Sequence, residues 1–178
     1  MRTFIAIDLP RSMKTELSSI LREVKQVSTG GRFVPADSFH ITLHFLGDTD
    51  DIVSVANAMH DAVRGIRKFN LHLGKYSSFE KNGSHTAYID VKGELDELNV
   101  LHEALEAALS QHGFPRESKR FTPHITLGRS VTYDELTEGE LISSISPNAS
   151  MSVSAITLFQ SERIQGRMVY TPLHTERF

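Results

Sequence analysis

One four-residue string occurs twice in this chain, as His40-Ile-Thr-Leu43 and as His124-Ile-Thr-Leu127, 84 residues apart in a total of 178. That spacing is close to half the length, and each copy opens a stretch that reads as a β-strand followed by turn and helix signals. A repeat at this distance predicts two related lobes. A single His-x-Thr is usually nothing more than the polar face of a half-exposed strand. Two identical polar pairs are harder to explain that way, because duplication of a packing unit accounts for repeated Leu or Gly more readily than for repeated His and Thr. The pairs therefore point to a site.

The flanking patterns place the repeat in a fold. Residues 2–8 alternate as a strand closed by Pro10, and Leu17, Ile20, Leu21 and Val24 recur at helical spacing until Ser28-Thr-Gly-Gly31 stops them. The run Phe39–Leu46 is two-periodic, which predicts His40, Thr42 and His44 on one face and Ile41, Leu43 and Phe45 on the other. Gly47–Asp51 supplies a turn and an N-cap for a second helix running through Ile52, Val55, Met59, Val63 and Ile66. Runs at 68–79 and 84–91 form a hairpin through Asn82-Gly83, and a third helix spans 94–112. A strand over Phe121–Arg129, a short helix at 133–144, and closing strands at 150–160 and 167–174 complete the reading. The expected class is α+β: two pseudo-symmetric lobes, each a largely antiparallel sheet with helices packed outside, around a central cleft. A single domain of residues 1–178, built of two intertwined lobes, is expected.

Composition narrows the chemistry. There is no cysteine, which removes disulfides, thiolate metal sites and a cysteine nucleophile together. A net charge of −3 disfavours a basic nucleic-acid scanner, yet suits a protein that grips a single phosphate and a nucleotide or two. The apolar run at the start is too short for a signal-peptide core and no membrane span occurs, so cytoplasm is the simplest location and a monomer the simplest state.

Two histidines facing each other suit hydrolysis of a phosphodiester. Attack on phosphorus in line with the departing oxygen needs a proton removed on one side and supplied on the other. Imidazole does either near neutral pH without a metal or any other cofactor. Residues two apart in a strand point the same way at about 6.6–6.8 Å, so each threonine hydroxyl reaches the phosphate its own histidine flanks.

The double motif resembles the two-histidine phosphoesterase superfamily, and within it the bacterial and archaeal RNA 2',3'-cyclic phosphodiesterases, also called 2'-5' RNA ligases. The resemblance covers Arg2–Pro10, Phe39–Gly47 and Phe121–Arg129 in order and spacing. It implies opening of a 2',3'-cyclic phosphate at an RNA end to a 2'-phosphate, with reversible 2'-5' ligation. His40 would be the proton donor to the departing 3'-oxygen and His124 the proton acceptor from water, with Thr42 and Thr126 binding phosphate. Arg129 follows the second motif as in the family, but strand parity puts it on the face opposite His124 unless Gly128 permits a bulge. Phe45 and Phe121 are expected in the core.

Other readings remain in view at this point. A three-histidine metal site of His40, His44 and His124 fails on distance, since residues four apart in a strand are about 13 Å apart. His44 then reads as a surface histidine or a support for a neighbour. A small cyclic nucleotide could replace RNA as substrate, and a non-catalytic nucleotide-binding module would use the same threonines.

Overall fold

The computed structural model describes every residue from Met1 to Phe178. Two antiparallel sheets form, one of four strands and one of five. The first sheet has the order β3-β1-β8-β9, from β1 (Arg2–Asp8), β3 (His40–Asp48), β8 (Ala155–Ile164) and β9 (Arg167–Arg177). The second runs β6-β5-β4-β7, from β4 (Phe69–Lys81), β5 (Ser84–Gly93), β6 (His124–Thr132) and β7 (Ser150–Val153), with β2 (Gly30–Phe33) added outside β6. Each half thus carries strand, helix, strand, helix in chain order. β1, α1 (Arg11–Val27), β3 and α2 (Ile52–Ala62) correspond to β5, α3 (Leu95–Gln111), β6 and α4 (Glu135–Ser144). The α+β class and the paired lobes follow from this arrangement.

The helices form where the apolar spacing requires them. Met13, Leu17, Ile20, Leu21 and Val24 of α1 are buried together, while the intervening residues face outward. Asp51 caps α2 by accepting from the Ser54 N–H at 3.1 Å, and Asp134 caps α4 by accepting from Thr137 N–H at 3.0 Å. The β4–β5 hairpin turns at Asn82 and Gly83, with φ of 54° and 80°; both central residues are left-handed, as a two-residue type I′ loop demands. One cluster of 36 buried residues takes side chains from both sheets and all four helices. Burying each Leu or Ile in such a cluster contributes about 1.5–3 kcal/mol. No helix is long and apolar enough to cross a membrane.

Several local expectations change. Residues 150–160 are two strands rather than one: β7 pairs with β4 and β8 with β1, so the chain crosses between sheets at Ser154. The Gly30-Gly31 segment ends α1 but then enters β2 on the edge of β6, a strand too short for a periodicity signal. Helix α2 stops at Ala62, short of Ile66, and β6 begins at His124 rather than Phe121.

Candidate functional site

The two repeats occupy equivalent stations. His40 opens β3 opposite Asp8 of β1, and His124 opens β6 opposite Asp90 of β5. In both strands strict alternation then fails at the same place. Ala6 pairs with Thr42 but Ile5 with His44, which leaves Leu43 as the extra residue of a bulge. Tyr88 pairs with Thr126 but Ala87 with Gly128, leaving Leu127 as its counterpart. Each bulge buries two successive residues and reverses the parity of those that follow.

Three parity-based expectations are overturned by these bulges. His44 does not share the face of His40 and Thr42 and is no surface residue; it turns into the interior, almost fully buried. Phe45 leaves the core and is 56% exposed. Arg129, which simple alternation assigns to the face opposite His124, turns outward and lines the same cavity as His40. Phe121 is half-buried against the core and stacks flat on His102, with ring centroids 4.0 Å apart.

Both imidazoles are held in one tautomer. The Nδ1–H of His40 donates to the Ser38 carbonyl at 2.8 Å, and that of His124 to the Thr122 carbonyl at 2.7 Å. A carbonyl only accepts, so the proton of each neutral ring sits on Nδ1 and Nε2 is the unprotonated, basic nitrogen. Thr42 Oγ1 lies 3.0 Å from His40 Nε2, poised to donate to it while the ring is neutral. Aromatic rings pack edge-on around both histidines. Tyr170 stands 5.3 Å from His40 at 88°, and Phe79 stands 5.8 Å from His124 at 85°.

Electrostatics distinguish His40. Burial pushes its pKa below the ordinary imidazole value of 6.5; the Ser38 carbonyl and Asp8 oppose that shift, while His124 and Arg129 reinforce it. His124 and Arg129 thus lie close enough to act on His40 although they come from the other sheet. A cavity of about 1020 Å³ opens beside His40 and is lined by Asp8, Arg32, Arg129 and Tyr170 among others. No group of three or more His, Cys, Asp or Glu side chains is arranged to hold a metal ion.

The sequence reading missed the aspartates. Asp8 Oδ1 accepts from the Leu9 N–H and pairs with Lys14 Nζ at 3.1 Å; Asp90 accepts from the Val91 N–H and pairs with Lys92 Nζ at 3.1 Å. A second short repeat carried the signal, Ile7-Asp8 and Ile89-Asp90, spaced 82 residues apart and so nearly in step with the histidines. Also missed was Glu106 of α3, buried against His44 with Oε1 at 2.5 Å from Nδ1. A lone Glu on a helix face gives no sequence signal of that kind.

The family model of the 2'-5' RNA ligase superfamily matches residues 11–165. A Thermotoga maritima protein named RNA 2',3'-cyclic phosphodiesterase is 32% identical over 181 residues, covering 100% of this chain and 96% of that protein. An Escherichia coli protein of the same name is 28% identical, covering 97% and 93% respectively. Among solved structures, Escherichia coli LigT complexed with 3'-AMP superposes with a TM-score of 0.76 at 26% identity, over 99% of this chain and 97% of that one. A Thermus thermophilus protein reaches 0.80 at 24% identity over 99% and 97%, which speaks for the fold alone. With matching strand order, a doubled His-x-Thr at equivalent stations and a family match over most of its length, the chain belongs to the 2'-5' RNA ligase superfamily.

Proposed function

We propose that this chain opens 2',3'-cyclic phosphates at RNA ends to 2'-phosphomonoesters by acid-base catalysis between His40 and His124, without a metal or other cofactor. The observation that carries the reading is the paired tautomer. Two imidazoles from equivalent positions on two sheets are each locked through Nδ1, so both leave Nε2 for chemistry. The relatives named RNA 2',3'-cyclic phosphodiesterase supply the substrate class.

In this mechanism His124 Nε2 takes a proton from the attacking water as the new P–O bond forms. His40 Nε2 delivers a proton to the 3'-oxygen as the P–O3' bond breaks, leaving a 3'-hydroxyl and a 2'-phosphate. Thr42, Thr126 and Arg129 donate to the non-bridging oxygens and stabilise the charge that develops there. A phosphate anion beside His40 opposes the desolvation that depresses its pKa, and so helps keep the donor protonated. By microscopic reversibility, with a 5'-hydroxyl in place of water, the same groups join two ends through a 2'-5' linkage.

The test is incubation in EDTA with an oligoribonucleotide ending in a 2',3'-cyclic phosphate. The expected product is the 2'-monoester, formed at the same rate as without chelator. Replacing either histidine by Ala is expected to lower kcat by about 10²–10⁴. Turnover that disappears with EDTA, or survives both substitutions, would rule the mechanism out.

A further inference from the structure

We infer that Lys14 is a positioning residue for His40: its ammonium clamps Asp8 to the backbone turn before β3, and so fixes the carbonyl that orients the imidazole. This rests on the acid-base reading above and adds to it the group that holds the proposed donor ready.

Lys14 Nζ reaches two oxygens at once. It lies 3.1 Å from Asp8 Oδ1 on β1 and donates to the Asp37 carbonyl at 3.1 Å. Asp37 belongs to the single helical turn Ala36–Ser38, and the next carbonyl along, that of Ser38, accepts the Nδ1–H of His40 at 2.8 Å. Asp8 stands opposite His40 in the β1–β3 pairing. One side chain from α1 therefore joins the two segments that meet at the imidazole, the strand beside it and the turn that leads into it. No residue of that turn is buried and no side chain caps it, so packing holds it weakly and the lysine tether counts for more.

A cation at this position runs against the helix that carries it. Arg11 and Lys14 both fall among the first four residues of α1, where there is no acidic residue, although the macrodipole favours anions at that end and opposes cations. The matching helix α3 obeys the rule, with Asp96 and Glu97 in its first turn. Counted from the aspartate opposite each histidine, Lys14 and Asp96 both come six residues on, so the two halves carry opposite charge at this station. Asp90 finds its lysine on its own strand instead, Lys92 at 3.1 Å. A locally unfavourable residue present in one half only is expected where it serves a site.

The same contact adjusts charge. The titratable groups that face His40 are Asp8 from β1, His124 and Arg129 from β6 and Tyr170 from β9; Lys14 stands behind Asp8, and Asp37 lies on the turn before β3. Asp8 raises the His40 pKa, and the lysine neutralises part of that influence.

The experiment compares the parent with Lys14→Met and Lys14→Arg by ¹⁵N NMR of the His40 ring, and by kinetics in EDTA on an oligoribonucleotide ending in a 2',3'-cyclic phosphate. Lys14→Met strands no buried charge, since the Asp8 side chain is 57% exposed, and is expected to fold as the parent does. In it the His40 ring loses its fixed Nδ1–H form, its pKa rises, and kcat falls about ten- to a hundredfold while KM holds. Lys14→Arg, which still donates to both oxygens, restores the tautomer and most of kcat. Pairing Lys14→Met with Asp8→Asn cancels the rise in pKa and leaves kcat low. A raised KM at parental kcat in Lys14→Met makes the lysine a phosphate ligand and overturns the inference. So does a Lys14→Met protein whose His40 tautomer, pKa and kcat all match the parent's. The NMR readouts need no substrate, so a parent without turnover removes the enzyme reading while the clamp still stands or falls on tautomer and pKa.

Discussion

The ring of Phe33 stands 2.9 Å from the point where a side chain on Gly128 would begin. The Arg32 carbonyl is only 3.1 Å away, so β2 lies against β6 with no room for a methyl group at the bulge. Arg129, which lines the cleft, follows directly on this close-packed position. Gly128→Val is therefore expected to push β2 off β6 or to undo the bulge, at a cost of about 1–3 kcal/mol. The first outcome displaces Arg32, the second Arg129, and either raises KM for a cyclic-phosphate RNA. Urea denaturation and steady-state kinetics on the one variant check both consequences.

Arg129 itself is expected to act through planar, two-pronged contact with the phosphate. Arg129→Lys keeps the charge but loses the fork, and kcat/KM is expected to fall about tenfold even so. A variant indistinguishable from the parent would reduce the residue to a source of field alone.

What the sequence made legible was set by period and repetition. The doubled His-Ile-Thr-Leu singled out two histidines and two threonines that the fold sets at equivalent strand positions, and the helical spacing of Leu17, Ile20, Leu21 and Val24 located α1 without help. The bulges were not legible. A period-two reading of Phe39–Leu46 carries its parity through to Phe45, whereas one unpaired residue at Leu43 reverses it, and nothing in the local composition records that. Gly128 was a hint on the second strand only; on the first, His44 occupies the equivalent station. Long-range polar partners such as Glu106 were also silent, because a carboxylate on a helix looks the same whether it meets water or a buried imidazole.

Titration of His40 yields a signed expectation. The proposed proton donor has to be protonated to act, and in the free protein burial, His124 and Arg129 hold the His40 pKa below 6.5. The alkaline limb of kcat/KM, which reports the free enzyme, is then expected below pH 6.5, and the limb of kcat above it, because bound phosphate favours the charged ring. Asp8→Asn removes a raising influence and is expected to move the kcat/KM limb lower still; Arg129→Gln moves it higher. Stability follows the same sign. A depressed folded pKa means the unfolded chain binds the proton first, so stability falls as pH drops from 6.5 through the folded value, and His40→Asn flattens that fall.

Glu106 ties the second motif to the strand of the first. Its Oε1 meets His44 Nδ1 on β3 at 2.5 Å, and its Oε2 accepts the Glu117 N–H at 3.2 Å. Glu117 in turn accepts the Phe45 N–H on the open edge of β3 at 2.5 Å. His102 Nε2 lies 3.5 Å from Glu106 and its ring lies flat on Phe121, one residue before the Thr122 whose carbonyl orients His124. The loop that sets the tautomer of His124 is thus docked on the strand that carries His40. Removing the carboxylate with Glu106→Ala strands a buried imidazole and a backbone N–H, and is expected to cost about 3–5 kcal/mol. Glu106→Gln retains an acceptor for Glu117 and folds more readily, so it isolates the positional effect. In that variant kcat is expected to drop while KM holds, since the loop loosens around His124 and the phosphate contacts stay. A folded Glu106→Gln protein with unchanged kcat and an unchanged pH profile would reduce the link to packing alone.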